Sequence, residues 1–227
     1  HPYIITGWGA DIFDSPQHPI MKAILKYSFK KADAISVLSE ITLHELVKLT
    51  DKNICLIPFG VDVEKFYPQR KNQDSIIRIG TIRTLSEKYG VEYLIRAFAL
   101  LSEKYNNIQL NIVGDGEQMT FLKQLAIDLK ISEKVIFHGF VSQTTNFEKY
   151  IGILNSFDIF AILSVIDSET FGVAAVEASA CAIPIVATSV GGLPEVIDSE
   201  KTGIIVSPKN VKETADALDR LIENEKL

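Results

Sequence analysis

The sequence has few cysteines and none of the short motifs that mark several enzyme classes. Cys55 and Cys181 are the only cysteines among 227 residues. Each lies in an apolar segment, which favours buried free thiols over a disulfide framework. No CxxC or HxxxH spacing occurs, so we expect no zinc site. GxSxG, P-loop, HExxH and DxD motifs are also absent, and without DxD one usual way of holding a metal ion on a diphosphate is missing.

Long apolar runs and a secretory leader are absent as well. No run reaches the roughly 18 residues that a membrane-spanning helix needs, and the first residues, HPYIITGWGADIF, lack a basic start followed by an apolar stretch. We therefore expect a soluble, cytoplasmic protein. The net charge is −6, with 9 basic and 9 acidic side chains in residues 1–75 but 14 basic and 20 acidic in residues 76–227. This acidic surface argues against nucleic acid as a partner, so an anionic ligand needs a local group of positive charges.

Short β-branched segments alternate with longer amphipathic segments through most of the chain. This alternation predicts an α/β fold of βαβ units, with parallel sheets and helices on both faces. The predicted strands are YIIT, AISVL, NICLIP, IIRIGT, IQLNIVG, KVIFHGF, FDIFAIL, IPIVAT and GIIV. The predicted helices cover residues 20–31, 41–49, 91–104, 118–129, 147–154, 171–181 and 211–224.

The alternation is interrupted by Pro58, Gly60 and Pro68 and by the charged segment QRKNQDS. We interpret residues 58–75 as an interdomain linker. Residues 1–57 are then the C-terminal part of a first domain, and residues 76–227 form a second domain of ordinary size. Because the chain has no initiator methionine and its first strand begins near residue 3, we expect a fragment that starts partway through its first domain.

The segment ETFGVAAVE carries a carboxylate at each end of an apolar stretch. A helix that begins near Phe171, with Thr170 as N-cap, puts Glu169 just before the helix and Glu177 on its second turn. The free N–H groups of the first turn and the helix dipole favour an anion there. These groups belong to Phe171, Gly172 and Val173.

A nucleotide sugar suits this arrangement, because carboxylates accept hydrogen bonds from paired hydroxyls while the helix end takes the diphosphate charge. The alternative is that Glu169 is a solvated loop residue and Glu177 an exposed helix residue. For Glu177 that alternative is weaker, since alanine, valine and cysteine surround it and a carboxylate buried without partners is costly.

Arg83 and Lys88 follow a predicted strand and precede a helix in GTIRTLSEKYGVEYLIRAF. Ligands of open α/β sheets bind beyond the carboxyl ends of strands, where both cations fall. We predict that Arg83 and Lys88 bind phosphates. The alternative is that both are solvated loop cations.

Three further segments contain candidates for ligand contact. Gly114 and Gly116 in NIVGDGEQM resemble the start of a dinucleotide fingerprint, but Met119 takes the third glycine position, so a plain tight turn is the alternative. His138 follows KVIF and is either near the site or a structural histidine. Gly191 and Gly192, in TSVGGLPEVI, offer backbone amides to a ligand or simply a flexible loop.

With these residues in place, the chain resembles the glycosyltransferases of family 4, which have the GT-B fold of two Rossmann-like domains. The resemblance runs from PYIITGWGADIF to near the C-terminus. Its specific part is SETFGVAAVEASACAIPIVATSVGGLPEVI, and the supporting segments are IPFGVDVEKFYP, GTIRTLSEKYGVEYLIRAF, IVGDG, FHGFV and TGIIVSP. The chain departs from the family at Trp8-Gly9, where the family has His-Gly, and at Thr81, where an arginine is common.

The resemblance implies a retaining, metal-independent hexosyltransferase in polysaccharide or other carbohydrate biosynthesis. The donor would be a sugar linked to UDP or GDP, with no further cofactor, and the acceptor a glycan, a lipid-linked molecule or a small molecule. Glu169 would contact the donor sugar and Glu177 the ribose, while Arg83 and Lys88 would neutralise the leaving diphosphate. The resemblance also implies that the start of the first domain and the closing helix are missing, and that the missing first-domain segment is a possible peripheral membrane contact. It therefore implies activity for the whole parent protein and leaves the activity of this fragment open.

Two alternatives are a nucleotide-sugar epimerase of similar two-domain build and a non-catalytic subunit that binds a sugar nucleotide. The epimerase needs catalytic carboxylates from the first domain. The Glu-x7-Glu segment with its GGLPE sequence favours transfer. An NAD-linked enzyme fits least, because the third glycine and an acidic residue at the end of a second strand are lacking.

Overall fold

A computed structural model describes residues 1–69 and 74–224 of the chain. The strands, in chain order, are β1 (Ile4–Gly7), β2 (Ala34–Val37), β3 (Ile54–Leu56), β4 (Ile77–Ile82), β5 (Ile108–Val113), β6 (Val135–Gly139), β7 (Ile159–Ile162), β8 (Ile185–Thr188) and β9 (Gly203–Val206). The α-helices are α1 (Ala10–Phe13), α2 (Pro19–Lys31), α3 (Glu40–Leu46), α4 (Val91–Lys104), α5 (Met119–Asp128), α6 (Phe147–Asn155), α7 (Val173–Ala180), α8 (Leu193–Val196) and α9 (Val211–Glu223). Short 3-10 helices cover Ser15–Gln17, Glu87–Tyr89 and Ser132–Lys134.

Every predicted strand is present, and every predicted helix forms within a few residues of its predicted bounds. The prediction for α4 matches both ends of the helix. The four-residue helices α1 and α8 were not predicted, because one turn is too short to display a helical period.

The chain divides into two compact units. The N-terminal unit contains His1–Gly60, Ile166–Val173 and Val190–Val196, and the C-terminal unit contains Val61–Val165, Ala174–Ser189 and the residues from Ile197 onward. Two segments from later in the chain, Ile166–Val173 and Val190–Val196, therefore belong to the N-terminal unit. The predicted linker and domain bounds stay a prediction, and residues 70–73 of the linker and 225–227 of the second domain lie outside the described residues.

The N-terminal unit is built on a three-stranded parallel sheet in the order β1-β2-β3. Its core is a cluster of buried apolar side chains from the strands and from the helices beside them. The members are Ile12, Phe29, Ala32, Ile35, Val37, Leu46 and Leu49.

The C-terminal unit is built on a six-stranded parallel sheet in the order β6-β5-β4-β7-β8-β9. The chain moves outward on one side of β4 and then returns to start the other side at β7. The point where the order reverses therefore lies between β4 and β7. In sheets of this kind, the crevice beyond the carboxyl ends of these two strands is the usual place for a ligand.

The sequence pattern explains the layers of the C-terminal unit. Strands β7 and β8 are buried at every position and are apolar except for Thr188 at the end of β8, as expected for central parallel strands. Helix α4 buries one face through Val91, Leu94, Ile95, Phe98 and Leu101, at the three- and four-residue spacing of an amphipathic helix. In the described ranges, no helix is both long and apolar enough to cross a membrane.

Candidate functional site

Arg83 and Lys88 lie at the reversal point of the six-stranded sheet. Arg83 directly follows β4, and its Nη2 atom donates a hydrogen bond to Oγ of Ser164, which follows β7, at 3.2 Å. The backbone N–H of Val165 donates to the carbonyl of Lys88 at 2.9 Å. The loops after β4 and β7 are therefore joined, and both predicted cations belong to that junction.

The two cations also share one aromatic ring. The guanidinium carbon of Arg83 lies 4.2 Å from the ring centroid of Tyr89, and Nζ of Lys88 lies 4.9 Å from it. Lys88 is exposed and, among the residues that the structure describes, takes part in no ion pair. In the same loop, the buried Oγ of Ser86 has no hydrogen-bond partner in the described part of the chain. Two positive charges and an unsatisfied hydroxyl thus lie within six residues of chain.

Gly114 and Gly116 shape this loop from the neighbouring strand. A Cβ atom on Gly114 would lie 1.8 Å from the carbonyl oxygen of Arg83, and one on Gly116 would lie 2.4 Å from that of Leu85. Backbone N–H groups of Arg83 and Leu85 donate to Val113 and Asp115, both at 2.9 Å. The close approach of two backbones therefore explains both glycines, and their predicted ligand contact stays a prediction.

The carboxylate of Glu177 is buried, with 6% of its surface exposed, and both of its oxygens accept hydrogen bonds. Nε2 of Gln143 donates to Oε1 at 2.7 Å, and the hydroxyl of Tyr150 donates to Oε2 at 2.5 Å. Burial raises the pKa of Glu177, and the hydrogen bonds from Tyr150 and Gln143 offset only part of that effect. The interpretation of Glu177 as an exposed helix residue is therefore wrong.

His138 lies on β6 and is half-buried. Its Nε2 atom lies 3.0 Å from Oδ1 of Asn111, a buried residue of β5. Burial lowers the pKa of His138, and the positive charge of Lys149 lowers it further. The Asn111 contact satisfies one ring nitrogen, as in the structural alternative, and the predicted ligand contact of His138 is untested.

The N-terminal unit holds Glu169, Phe171, Gly172 and Val173. Helix α7 begins at Val173, two residues later than predicted, and Gly172 just before it has a φ of 77°. Thr170 lies outside the helix, and its hydroxyl donates to the carbonyl of Trp8. The predicted capping role of Thr170 and a helical first turn that includes Phe171 are therefore wrong.

An aromatic chain lies beside the Glu169 loop within the N-terminal unit. The ring of Phe59 lies 5.0 Å from that of Trp8 and 5.8 Å from that of Phe171, measured between centroids. Trp8 is 57% exposed. The carboxylate of Asp11 accepts hydrogen bonds from the backbone N–H groups of Trp8 and Gly9, which holds the turn that carries the tryptophan.

Gly191 and Gly192 support the backbone of the Glu169 loop. Gly191 has a φ of 55°, and a Cβ atom there would lie 1.8 Å from the carbonyl oxygen of Glu169. The N–H of Gly192 donates to that same carbonyl at 2.8 Å. The two glycines thus fix the backbone position of Glu169. This role is neither of the two predicted for them, which were ligand contact and loop flexibility, and their ligand contact stays a prediction.

The cysteines follow the prediction only in part. Both are free, but Cys55 is exposed and only Cys181 is buried, so the predicted burial of Cys55 is wrong. Cys55 lies on β3, an edge strand, where an apolar sequence segment need not be covered on both faces. Among the described residues, no three His, Cys, Asp or Glu side chains are grouped so that they could hold a metal ion.

Sequence reasoning missed the side chains that contact the predicted residues. Gln143 and Tyr150 are 34 and 27 positions from Glu177, and no spacing in the sequence connects them to it. Tyr89 was the more accessible signal, because it directly follows Lys88 and an aromatic ring attracts neighbouring cations.

Comparison with known families gives two matches. Residues 63–227 match the family described as glycosyl transferases group 1, and residues 1–39 match the family described as glycosyl transferase 4-like.

An uncharacterized glycosyltransferase of Methanocaldococcus jannaschii is 39% identical over 174 residues, which cover 74% of this chain and 43% of the relative. The D-inositol 3-phosphate glycosyltransferase of Corynebacterium jeikeium is 31% identical over 217 residues, which cover 86% of this chain and 50% of the relative. The chain spans about half the length of the curated relatives it matches.

Solved structures match the fold. The Anabaena protein HepE, solved in complex with UDP and glucose, aligns with a TM-score of 0.83 at 20% identity and covers 100% of this chain and 63% of its own. The C-terminal domain of a glycosyl transferase group 1 family protein from Francisella tularensis aligns with a TM-score of 0.65 at 28% identity, covering 74% of this chain and 90% of its own. The predicted parallel α/β fold of the GT-B type is confirmed, and nothing in the comparisons supports the epimerase alternative.

Proposed function

This chain belongs to the family of glycosyl transferases group 1, and we propose its function on that basis. The protein transfers a sugar from a nucleoside diphosphate sugar, linked to UDP or GDP, to a glycan, lipid-linked or small-molecule acceptor. The transfer retains the anomeric configuration and needs no metal ion. These finer statements accord with the family 4 resemblance and with the chemistry of the residues described above.

The observation that carries the proposal is the pair of cations at the reversal point of the sheet. Arg83 and Lys88 lie against one tyrosine ring beyond the ends of β4 and β7. A diphosphate that leaves a sugar gains negative charge as the bond breaks, and fixed positive charges stabilise that state more than the bound substrate. The buried hydroxyl of Ser86 offers a further donor for a phosphate oxygen.

In this proposal the two glutamates bind different parts of the donor. Glu177, with its carboxylate held in one orientation, accepts hydrogen bonds from the ribose hydroxyls. Glu169, whose backbone is fixed by Gly191 and Gly192, contacts the hydroxyls of the transferred sugar. The N–H groups near Gly172 and Val173 assist with the diphosphate.

Calorimetry on the 227-residue chain separates these roles. Glu177→Gln should weaken binding of both the nucleoside diphosphate and the nucleotide sugar, because both contain the ribose. Glu169→Gln should leave the nucleoside diphosphate unaffected and weaken only the nucleotide sugar. A lost charge-assisted hydrogen bond costs about 1.5–3 kcal/mol, or roughly a tenfold to hundredfold change in affinity.

Glu148→Gln, on the exposed side of α6, is the matched control and should change neither affinity. If neither glutamate variant distinguishes the two ligands, the carboxylates do not bind a nucleotide sugar. Turnover by the whole protein then distinguishes a transferase from a non-catalytic subunit, since a subunit binds the donor but transfers no sugar.

A further inference from the structure

We propose that Tyr150 is a positioning residue for the Glu177 carboxylate and that Gln143 is a displaceable donor, whose place on Oε1 a ribose hydroxyl takes when a nucleoside diphosphate binds. This inference rests on the proposed function. It assigns two residues that neither the sequence motifs nor the site described above requires for binding the donor.

Tyr150 is fixed in the interior of the C-terminal unit. It lies on α6, it is 6% exposed, and its ring packs edge-on against Phe66 at a centroid distance of 6.4 Å. Its neighbours Ile151 and Leu154 on the same helix are also buried. The hydroxyl that contacts Oε2 of Glu177 therefore cannot leave without unpacking the helix.

Gln143 is held much less firmly. It is exposed and lies between β6 and α6, outside any helix or strand. Its hydrogen bond to Oε1 of Glu177, at 2.7 Å, reaches from solvent to a buried carboxylate. A flexible amide in this position satisfies the carboxylate while the ligand is absent, and rotation about its side-chain bonds is enough to release it.

The chemistry of a ribose fits this unequal pair of donors. The 2′- and 3′-hydroxyls of a ribose both donate hydrogen bonds, and an ionised carboxylate accepts them when its orientation is fixed. Tyr150 provides that orientation through Oε2. Replacing Gln143 by a hydroxyl on Oε1 then exchanges one hydrogen bond for another and leaves no buried acceptor unsatisfied.

The test compares ligands that differ only in the ribose hydroxyls. Affinities of the 227-residue chain for UDP and GDP are measured by calorimetry, each against its 2′,3′-dideoxy counterpart. The ratio of the two affinities reports the hydroxyl contacts alone, because base and diphosphate are common to both ligands. Tyr150→Phe should lower this ratio about tenfold, while Gln143→Ala should leave it unchanged or raise it.

The chain offers matched controls for both variants. Tyr105 donates its hydroxyl to Asp219 at 2.7 Å, so Tyr105→Phe also removes a tyrosine–carboxylate hydrogen bond and should leave the ratio unchanged. Thr144→Ala alters the exposed residue next to Gln143 and should likewise have no effect. If Tyr150→Phe does not fold, 3-fluorotyrosine at this position keeps the ring and makes a stronger donor, which lowers the pKa of Glu177 further and should move the acid fall of the ratio to lower pH.

The pH dependence of the ratio provides a readout that a purely structural role would not change. Protonation of Glu177 removes an acceptor, so the ratio falls as the pH falls. Without the Tyr150 donor the pKa of Glu177 rises, and the fall moves to higher pH. Among the described residues, the titratable groups that interact with this carboxylate are Tyr150, whose pKa is raised by burial and by the charge of Glu177, and Cys181, whose pKa burial raises to about 11.

Each outcome decides a separate question. A Tyr150→Phe or fluorotyrosine protein with the wild-type ratio and pH profile overturns the positioning role. A tenfold loss of the ratio in Gln143→Ala overturns the displacement. If the wild-type chain binds neither UDP nor GDP, the proposed function fails, and this inference fails with it.

Discussion

The hydroxyl of Tyr150 lies 2.5 Å from Oε2 of Glu177, and both residues are buried. This pair places a carboxylate in the interior of the C-terminal unit, where its hydrogen-bond donors among the described residues, Tyr150 and Gln143, are both neutral. A charge in such a place costs stability, so its presence favours a role in ligand binding over one in folding.

Replacing Glu177 by glutamine should stabilise the protein relative to wild type as the pH rises. Burial raises the pKa of Glu177 above its ordinary value of 4.5, so the folded state binds more protons than the unfolded state just above that pH. The contribution of this group to stability is therefore complete below pH 4.5 and is lost as the pH rises through the raised pKa. Urea unfolding across pH 4–8 measures it as the wild-type free energy of unfolding minus that of Glu177→Gln, which should decrease.

Glu200 provides a control of opposite sign for this experiment. Its hydrogen bond from Arg220, at 2.6 Å, lowers the pKa of the exposed Glu200 carboxyl. The difference between wild type and Glu200→Gln should therefore increase with pH over the acidic range. A Glu177→Gln difference that stays constant or increases with pH would contradict the assigned burial cost.

Lys88→Ala should reduce turnover of the whole protein more than it weakens binding of the free nucleoside diphosphate. In the proposed function the negative charge that Lys88 stabilises grows as the sugar leaves. The loss should therefore fall mainly on the transition state, by an expected tenfold to hundredfold or about 1.4–2.7 kcal/mol. Steady-state kinetics and calorimetry measure the two effects. Lys123, whose Nζ lies 5.7 Å from the ring of Phe137, is the matched control, and Lys123→Ala should change neither. Equal losses in turnover and binding for Lys88→Ala would indicate simple binding.

Gly191→Ala should destabilise the chain by at least about 2 kcal/mol, because the left-handed conformation alone costs an alanine about 1–2 kcal/mol. The new Cβ atom would also meet the carbonyl oxygen of Glu169 at 1.8 Å. Gly60→Ala is the control in the same unit, since nothing lies within 4 Å of its added Cβ atom. Denaturant unfolding compares the two variants. Similar stabilities would mean that Gly191 does not fix the Glu169 loop.

Sugar transfer by the whole protein should survive exhaustive removal of divalent metal ions by a chelator. In the proposed function, Arg83 and Lys88 supply two positive charges for the diphosphate, which is the contribution that a metal ion makes in other transferases. Transfer rates before and after chelation are the measurement. Loss of transfer with recovery on adding manganese or magnesium would show that these side chains are insufficient.

The sequence by itself determined the elements of this protein. The β-branched segment GIIV is β9, and Val91, Leu94, Ile95 and Phe98 lie at the spacing of the buried face of α4, because burial of one face leaves a periodic trace in the sequence. It also identified Arg83 and Lys88 as residues beyond a strand end, since that position follows from local order. Glu169 and Glu177 are also identified by local order, because they are the charged residues at the two ends of an apolar segment.

The tertiary structure alone decided how these residues are held. Helix α7 begins at Val173 and not near Phe171, and the hydroxyl of Thr170 donates to the carbonyl of Trp8, a residue 162 positions away. Gly191 contacts the backbone of Glu169, and Tyr150 and Gln143 contact Glu177, through approaches that the folded chain creates. Such contacts leave no periodic trace, because hydrogen bonds and close backbone packing depend on distances in space, and a local sequence pattern records only the period of the element that contains it.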